Sequence, residues 1–219
     1  MGHAEDFFGS IPPERMRSMS VRLPWVLASV SPRRAALLRQ LGRPFTTVPS
    51  DAAEVTLAGL TPAELTQLNA YRKAQAVGRQ RPESLVLGAD TLVCLGTELF
   101  GKPADLEGAV RMLARLQGRA HQVITGVCLV HWAARRSSVF AVASRVTFRT
   151  LSESQIRQYL ALIDPLDKAG AYAIQEQGDL IVERLAGSFS NVVGLPLERL
   201  EVELTAFDRA LGQASEEVS

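Results

Sequence analysis

Two β-rich runs, HQVITGVCLVHW (121–132) and SSVFAVASRVTFRT (137–150), are separated by only AARR. Four residues can join neighbouring antiparallel strands, whereas a parallel pair needs a crossover of about a dozen residues or more. The chain therefore carries a long hairpin, and its fold must accept an antiparallel pair. Around it, strands and helices alternate. PWVLAS (24–29) and SLVLGAD (84–90) have the length and composition of buried strands, and the second ends on a carboxylate. TLVCLGTELFGKP reads as a strand, a turn and a loop, and DLIVERL as a strand. Ser31 can cap a helix with Pro32 in its first position, and Gly42 ends it. Thr61-Pro62-Ala63-Glu64 is a capping box, and Ser152-x-x-Gln155 opens a further helix. Asp105 to Gly118 is amphipathic, and a last helix is expected from about Pro196 to Leu211. AGSFSNVVGLP (186–196) reads as a loop. This pattern predicts an α/β protein with a mixed sheet and flanking helices.

No linker divides the middle of the chain, so residues 23–211 are expected to form one domain. Residues 1–22 read as a poorly ordered extension without the apolar segment of a signal peptide, and 212–219 as a tail. The net charge of +1 gives no support for a nucleic-acid or anionic-membrane partner held by bulk charge. No apolar run is long enough to span a membrane. Cys94 and Cys128 form no C-x-x-C pair, which argues against a disulfide framework or zinc site and suggests a reducing, cytoplasmic setting.

LASVSPRRAALLRQLG (27–42) poses a physical question. Arg33 and Arg34 fall in the first turn of a helix, where the backbone dipole disfavours a cation by about 0.3–1 kcal/mol. An anion bound at the helix start would reverse that sign, and guanidinium matches phosphate oxygens bidentately. Two arginines turned to water would explain the pattern equally well. Asp90 follows Gly88 and Ala89, small residues that admit close approach, although such an acid often serves a turn. Glu54 and Asp51 are ordinary loop acids taken singly. GTELFGKP (96–103) starts like a phosphate-binding loop, but Pro103 stands where a magnesium-ligating hydroxyl is needed, so a P-loop is rejected. Lys102 can still reach a phosphate. In DKAGAYAIQ (167–175), Tyr172 reads as core, and Gln175 offers an amide suited to a base edge or to nearby backbone. His121 and His131 lack partners at metal or triad spacing and read as structural.

In order, the chain presents S-x-S-P-R-R, an acid, R-K-A, G-A-D-T, G-K-P, T-G-V, D-K-A-G-A-Y-x-I-Q and G-L-P-L. From about Trp25 to Phe207 it resembles the Maf family of nucleoside triphosphate pyrophosphatases. The resemblance implies an elongated α/β fold with a deep cleft between two lobes, similar to the inosine triphosphate pyrophosphatases. It implies hydrolysis of a nucleoside triphosphate to monophosphate and diphosphate with a divalent metal, Mg²⁺ or Mn²⁺. Asp90 would be the proton acceptor and, with Glu54, a metal ligand. Lys73 and Lys102 would neutralise developing charge, while Ser29 and Arg33 would bind phosphate. Arg34, Thr91 and Gln175 match the dTTP/UTP-preferring subfamily, Thr91 and Gln175 as readers of the pyrimidine. Departures are the acidic motif D-A-A-E, and Asn69 where a small apolar residue is usual. Homodimers are common in the family. Two rivals remain: a pyrophosphatase for 7-methyl-GTP or another modified nucleotide, and a non-enzymatic regulator of septum formation.

Overall fold

The computed structural model describes residues 23–216; the extension expected over 1–22 and residues 217–219 of the tail lie outside them. Its centre is a seven-stranded sheet of β1 (Trp25–Leu27), β2 (Phe45–Thr47), β3 (Leu85–Leu95), β4 (Glu98–Phe100), β5 (Ala120–His131), β6 (Arg136–Phe148) and β7 (Val182–Ala186). The order is β2-β1-β3-β5-β6-β7, with β4 also paired to β3. β1 is parallel to β2 and β3, and the remaining pairs are antiparallel, so the expected mixed sheet is present. The helices are α1 (Pro32–Arg39), α2 (Pro62–Gln80), α3 (Leu106–Leu116), α4 (Glu153–Leu160), α5 (Phe189–Val193) and α6 (Leu197–Glu216).

β3 decides where the site lies. One of its edges pairs with β5 from Leu85 to Cys94. The other edge is shared: β1 pairs with residues 85–87, and β4 returns to pair with 93–95. Between them, residues 88–92 have no strand neighbour on that edge among the described residues. Asp90 is therefore not at a strand end, as its sequence suggests, but in the middle of an eleven-residue strand, beside a gap in the sheet. The strand continues past Asp90 because β5 supplies ladder partners throughout.

Side chains alternate across β3. Leu85, Leu87 and Ala89 pack with Leu37 and Leu38 of α1 and Leu200 and Leu204 of α6. Val86 faces the other way, against Ala70, Ala74 and Val77 of α2. A second core beyond the gap gathers Val93, Leu113, Phe148 and Tyr159, enclosed by α3 and α4. Helix α2 lies close against the sheet because two strand residues lack side chains. A Cβ on Gly88 would stand 2.3 Å from the Ala70 carbonyl oxygen, and one on Gly126, the partner of Asp90, 2.3 Å from the Thr66 carbonyl carbon. Gly88 thus admits a helix backbone, not the ligand its sequence context suggests.

Other differences have local causes. α5 forms inside the stretch expected as a loop; Ser188 caps it, but five residues are too few to show a helical period. α6 runs through Gly212 to Glu216, because one glycine costs a helix only about 1 kcal/mol and need not end it. DLIVERL is a strand only from Val182, after a 3₁₀ turn at Gly178–Leu180.

Candidate active site

On the α2 face of the gap, Asp90 is buried and both of its oxygens are met. Lys73 Nζ donates to Oδ1 at 2.7 Å, and Asn69 Nδ2 donates to Oδ2 at 3.2 Å. Asn69 and Lys73 are four residues apart, on one face of the helix. Lys73 also donates to Glu54 Oε1 at 2.6 Å, so one ammonium ties the two carboxylates together. The Glu54 side chain is 60% exposed against 7% for Asp90, so Glu54 is the more open of the two, although both line the cleft. Partial burial works to raise the Glu54 carboxyl, but Lys73, and more weakly Lys102 and Arg34, outweigh it and hold it below the ordinary range.

On the opposite face, Thr91 meets Arg34 of α1. Arg34 Nε donates to the Gly194 carbonyl at 2.9 Å, and Nη2 to Thr91 Oγ1 at 3.0 Å. Thr91 and Thr125 Oγ1 are 3.0 Å apart, and Thr125 donates to the Asn191 carbonyl at 3.0 Å. A hydroxyl has one proton. Thr125 spends its own on Asn191, so it accepts from Thr91, and the bonds run one way from Arg34 to Thr91 to Thr125 to Asn191. Burial lowers the Arg34 pKa from its ordinary value, opposed by the charge of Asp90. The Thr91 proton is thus committed inside the protein. Thr91 still lines the cleft, where its hydroxyl accepts from Arg34. Asn191 and Gly194 belong to α5 and its cap, the element missed in the sequence.

Ser31, Arg33, Arg34, Glu54, Asp90, Thr91, Lys102 and Gln175 line one cleft around the gap. Ser29 and Lys73 stand behind that lining. Ser29 Oγ accepts from Ser31 N at 3.1 Å, which leaves its proton uncommitted by that bond. Neither arginine simply faces water. Arg33 Nη1 donates to Asp167 Oδ2 at 2.6 Å and Nη2 to the Asp167 carbonyl at 3.1 Å, an acid 134 residues away that nothing local in the sequence announces. Lys168, buried, donates to the Asp164 carbonyl at 2.6 Å and Asp167 Oδ1 at 2.9 Å, so its charge ties the loop together. Lys102 has no hydrogen-bond partner among the described residues and is exposed at the cleft. Gln175 is exposed, and its Nε2 donates to Glu176 Oε1 at 2.9 Å. Tyr172 and His121 are core residues, as expected, joined at 2.9 Å. Burial keeps His121 neutral, with its pKa pushed down to about 4.

Among the described residues no three His, Cys, Asp or Glu side chains gather as a metal cage. Two carboxylates beside a cationic cleft suit a different arrangement, in which a hard cation takes one or two carboxylates and completes its shell with phosphate and water oxygens. Asp90 and Glu54 fit that donor chemistry.

A central mixed sheet flanked by helices, with a polar cleft at a break in strand pairing, defines the class of the fold. It is similar to that of the Staphylococcus aureus Ham1 protein, with a TM-score of 0.51 and 14% sequence identity over 84% of this chain and 98% of that one. Sequence comparison defines the family. The model of the Maf-like proteins matches residues 24–207, and the chain belongs to that family. A dTTP/UTP pyrophosphatase of Pelotomaculum thermopropionicum is 46% identical over 182 residues, 83% of this chain and 95% of that protein. A dTTP/UTP pyrophosphatase of Akkermansia muciniphila is 46% identical over 174 residues, 80% of this chain and 91% of that protein.

Proposed function

We propose that the protein is a nucleoside triphosphate pyrophosphatase that converts dTTP and UTP to the monophosphate and diphosphate. The observation that carries this reading is the placement of two linked carboxylates, Asp90 and Glu54, in one cleft with Arg34 and with Lys102, which has no hydrogen-bond partner among the described residues. Asp90 holds a water and takes its proton as the oxygen attacks the α-phosphorus. Each Asp90 oxygen accepts one bond from the protein, which leaves lone pairs for this role. The bond from the α-phosphorus to the oxygen bridging the β-phosphorus then breaks, and diphosphate leaves. Phosphoryl transfer is mostly positioning and charge neutralisation. Lys102 and Arg34 supply fixed positive charge to the phosphates, and Ser29 supplies a hydroxyl near the start of α1. Arg33 engages phosphate in competition with Asp167. Asp90 and Glu54 would hold Mg²⁺ or Mn²⁺ together with phosphate oxygens, and the ion would supply further charge neutralisation.

Glu176 can only accept, so the Gln175 atom beside it is the amide nitrogen. The Gln175 carbonyl is left to accept the N3–H of thymine or uracil, which cytosine lacks. Among the described residues no helix is long and apolar enough to cross a membrane. The two free, buried cysteines suit a reducing, cytoplasmic setting.

The test is product analysis over a nucleotide panel. Incubation with dTTP and Mg²⁺ should yield dTMP and diphosphate, with UTP next, CTP lower, and ATP, GTP and 7-methyl-GTP far lower. A chelator should abolish turnover, and added Mg²⁺ or Mn²⁺ should restore it. Release of inorganic phosphate and dTDP would move the attack to the γ-phosphorus and overturn the proposal.

A further inference from the structure

We infer that Asn69 is a positioning residue that locks the Glu54 segment and Asp90 into one geometry. The inference rests on the roles proposed above for those two acids. Asn69 lies on α2, one turn before Lys73, and is 4% exposed. Its Oδ1 accepts from Val55 N at 2.9 Å, while Nδ2 donates to the Val55 carbonyl at 3.2 Å and to Asp90 Oδ2 at 3.2 Å. Both amide protons are therefore used, and the amide grips both polar groups of one peptide residue, as a neighbouring strand would.

That grip falls where the chain has little else. Residues 48–57, between β2 and α2, are neither strand nor helix, and Val55 directly follows Glu54. Lys73 closes the other side by donating to Glu54 and Asp90. The result is a ring: Asn69 to Val55, through the chain to Glu54, to Lys73, to Asp90, and back to Asn69. Few side chains can hold this place. It needs one acceptor and two donors in a plane, aimed in two directions. Asp would lose both donors and set a charge against Asp90; Leu has the shape and none of the bonds. Val55 is only half-buried, so water can replace its lost partners, and Asp90 keeps its bond to Lys73. The cost of removing Asn69 thus falls on where Glu54 stands relative to Asp90 more than on folding.

The experiment uses the full chain with dTTP and Mg²⁺, comparing wild type, Asn69→Leu, Asn69→Ala, Glu54→Gln and the Asn69→Leu/Glu54→Gln double variant. Misplaced catalytic groups cost up to about 100-fold, so Asn69→Leu should lower kcat by roughly 10- to 100-fold with KM changed far less. If Asn69 acts through Glu54, the double variant should be nearly as active as Glu54→Gln alone. Binding of Mn²⁺ to the nucleotide-free protein, followed by water-proton relaxation, should weaken in both Asn69 variants. Asn69→Ala introduces no bulk and stands in if Asn69→Leu fails to fold. Wild-type kcat and Mn²⁺ binding in a folded Asn69 variant would overturn the inference. So would losses that multiply in the double variant, or a Glu54→Gln protein with full activity. A wild-type protein that releases no diphosphate from any nucleoside triphosphate fails the proposed function instead.

Discussion

The two ends of the cleft are built differently. At the α1 end, Arg34 is committed through Nε and Nη2 to Gly194 and Thr91, and the chain of bonds continues through Thr125, which is fully buried, to Asn191. At the other end, Gln175 is exposed and held by one bond to its sequence neighbour, Glu176. The phosphate end is thus formed before any substrate arrives, where preorganised charge is worth most because nothing need reorient during the reaction. The base end becomes specific only when a substrate shields it from water, because an unpaired amide exposed to solvent costs little. Rate and base preference should therefore be separable by mutation.

The largest effect should come from the carboxylate that lies between those ends, on the α2 face of the gap. Asp90→Asn keeps the shape and removes the proton acceptor, and loss of a general base typically costs about 10²–10⁴ in rate. kcat on dTTP and UTP should fall by that factor to the same extent. Near-normal turnover would remove Asp90 from the mechanism.

A smaller loss should follow Thr125→Val, which touches no substrate. The substitution leaves the Thr91 hydroxyl proton without its acceptor, while the Asn191 carbonyl keeps the Gly194 N–H, and the lost bond should cost about 1–3 kcal/mol, or roughly 5- to 150-fold if expressed in kcat/KM. The loss should be equal on dTTP and CTP, because Arg34 serves the phosphates, and Thr125→Ser should restore most of it. A change in the dTTP:CTP ratio would mean that Thr91 does contact the base, as its sequence position suggests.

The smallest effect should be that of Gln175→Ala. Turnover of dTTP should drop only a few-fold, since one exposed hydrogen bond contributes about 0.5–1.5 kcal/mol. The preference for dTTP over CTP should flatten by a similar factor. Equal losses on both nucleotides would show that Gln175 orders the loop with Glu176 and reads no base.

Much of the fold is present in local chemistry. The Ser31–Pro32 helix start, both capping boxes and the four-residue hairpin connection form where the sequence signals them. The reason is that caps and turns are satisfied by residues within three or four positions. The candidate site residues were also legible, as motifs in a fixed order along the chain. Their relations were not. Asp90 and Thr91 are adjacent in sequence yet serve opposite faces of β3, one with α2 and the other with α1. This follows from the two-residue period of a strand, but only once the strand is known to continue to Leu95. The gap that lets both faces open into one cleft exists because β1 ends at Leu27 and β4 begins pairing at Val93, which no single segment encodes. Partners such as Asp167 for Arg33, Thr125 for Thr91 and Asn69 for Val55 lie far apart along the chain. The sequence by itself determined most of the elements, though not α5, and which charges are available. Tertiary packing decided which charge meets which, because those distances depend on how closely α2 can approach two glycines and on where strand pairing stops.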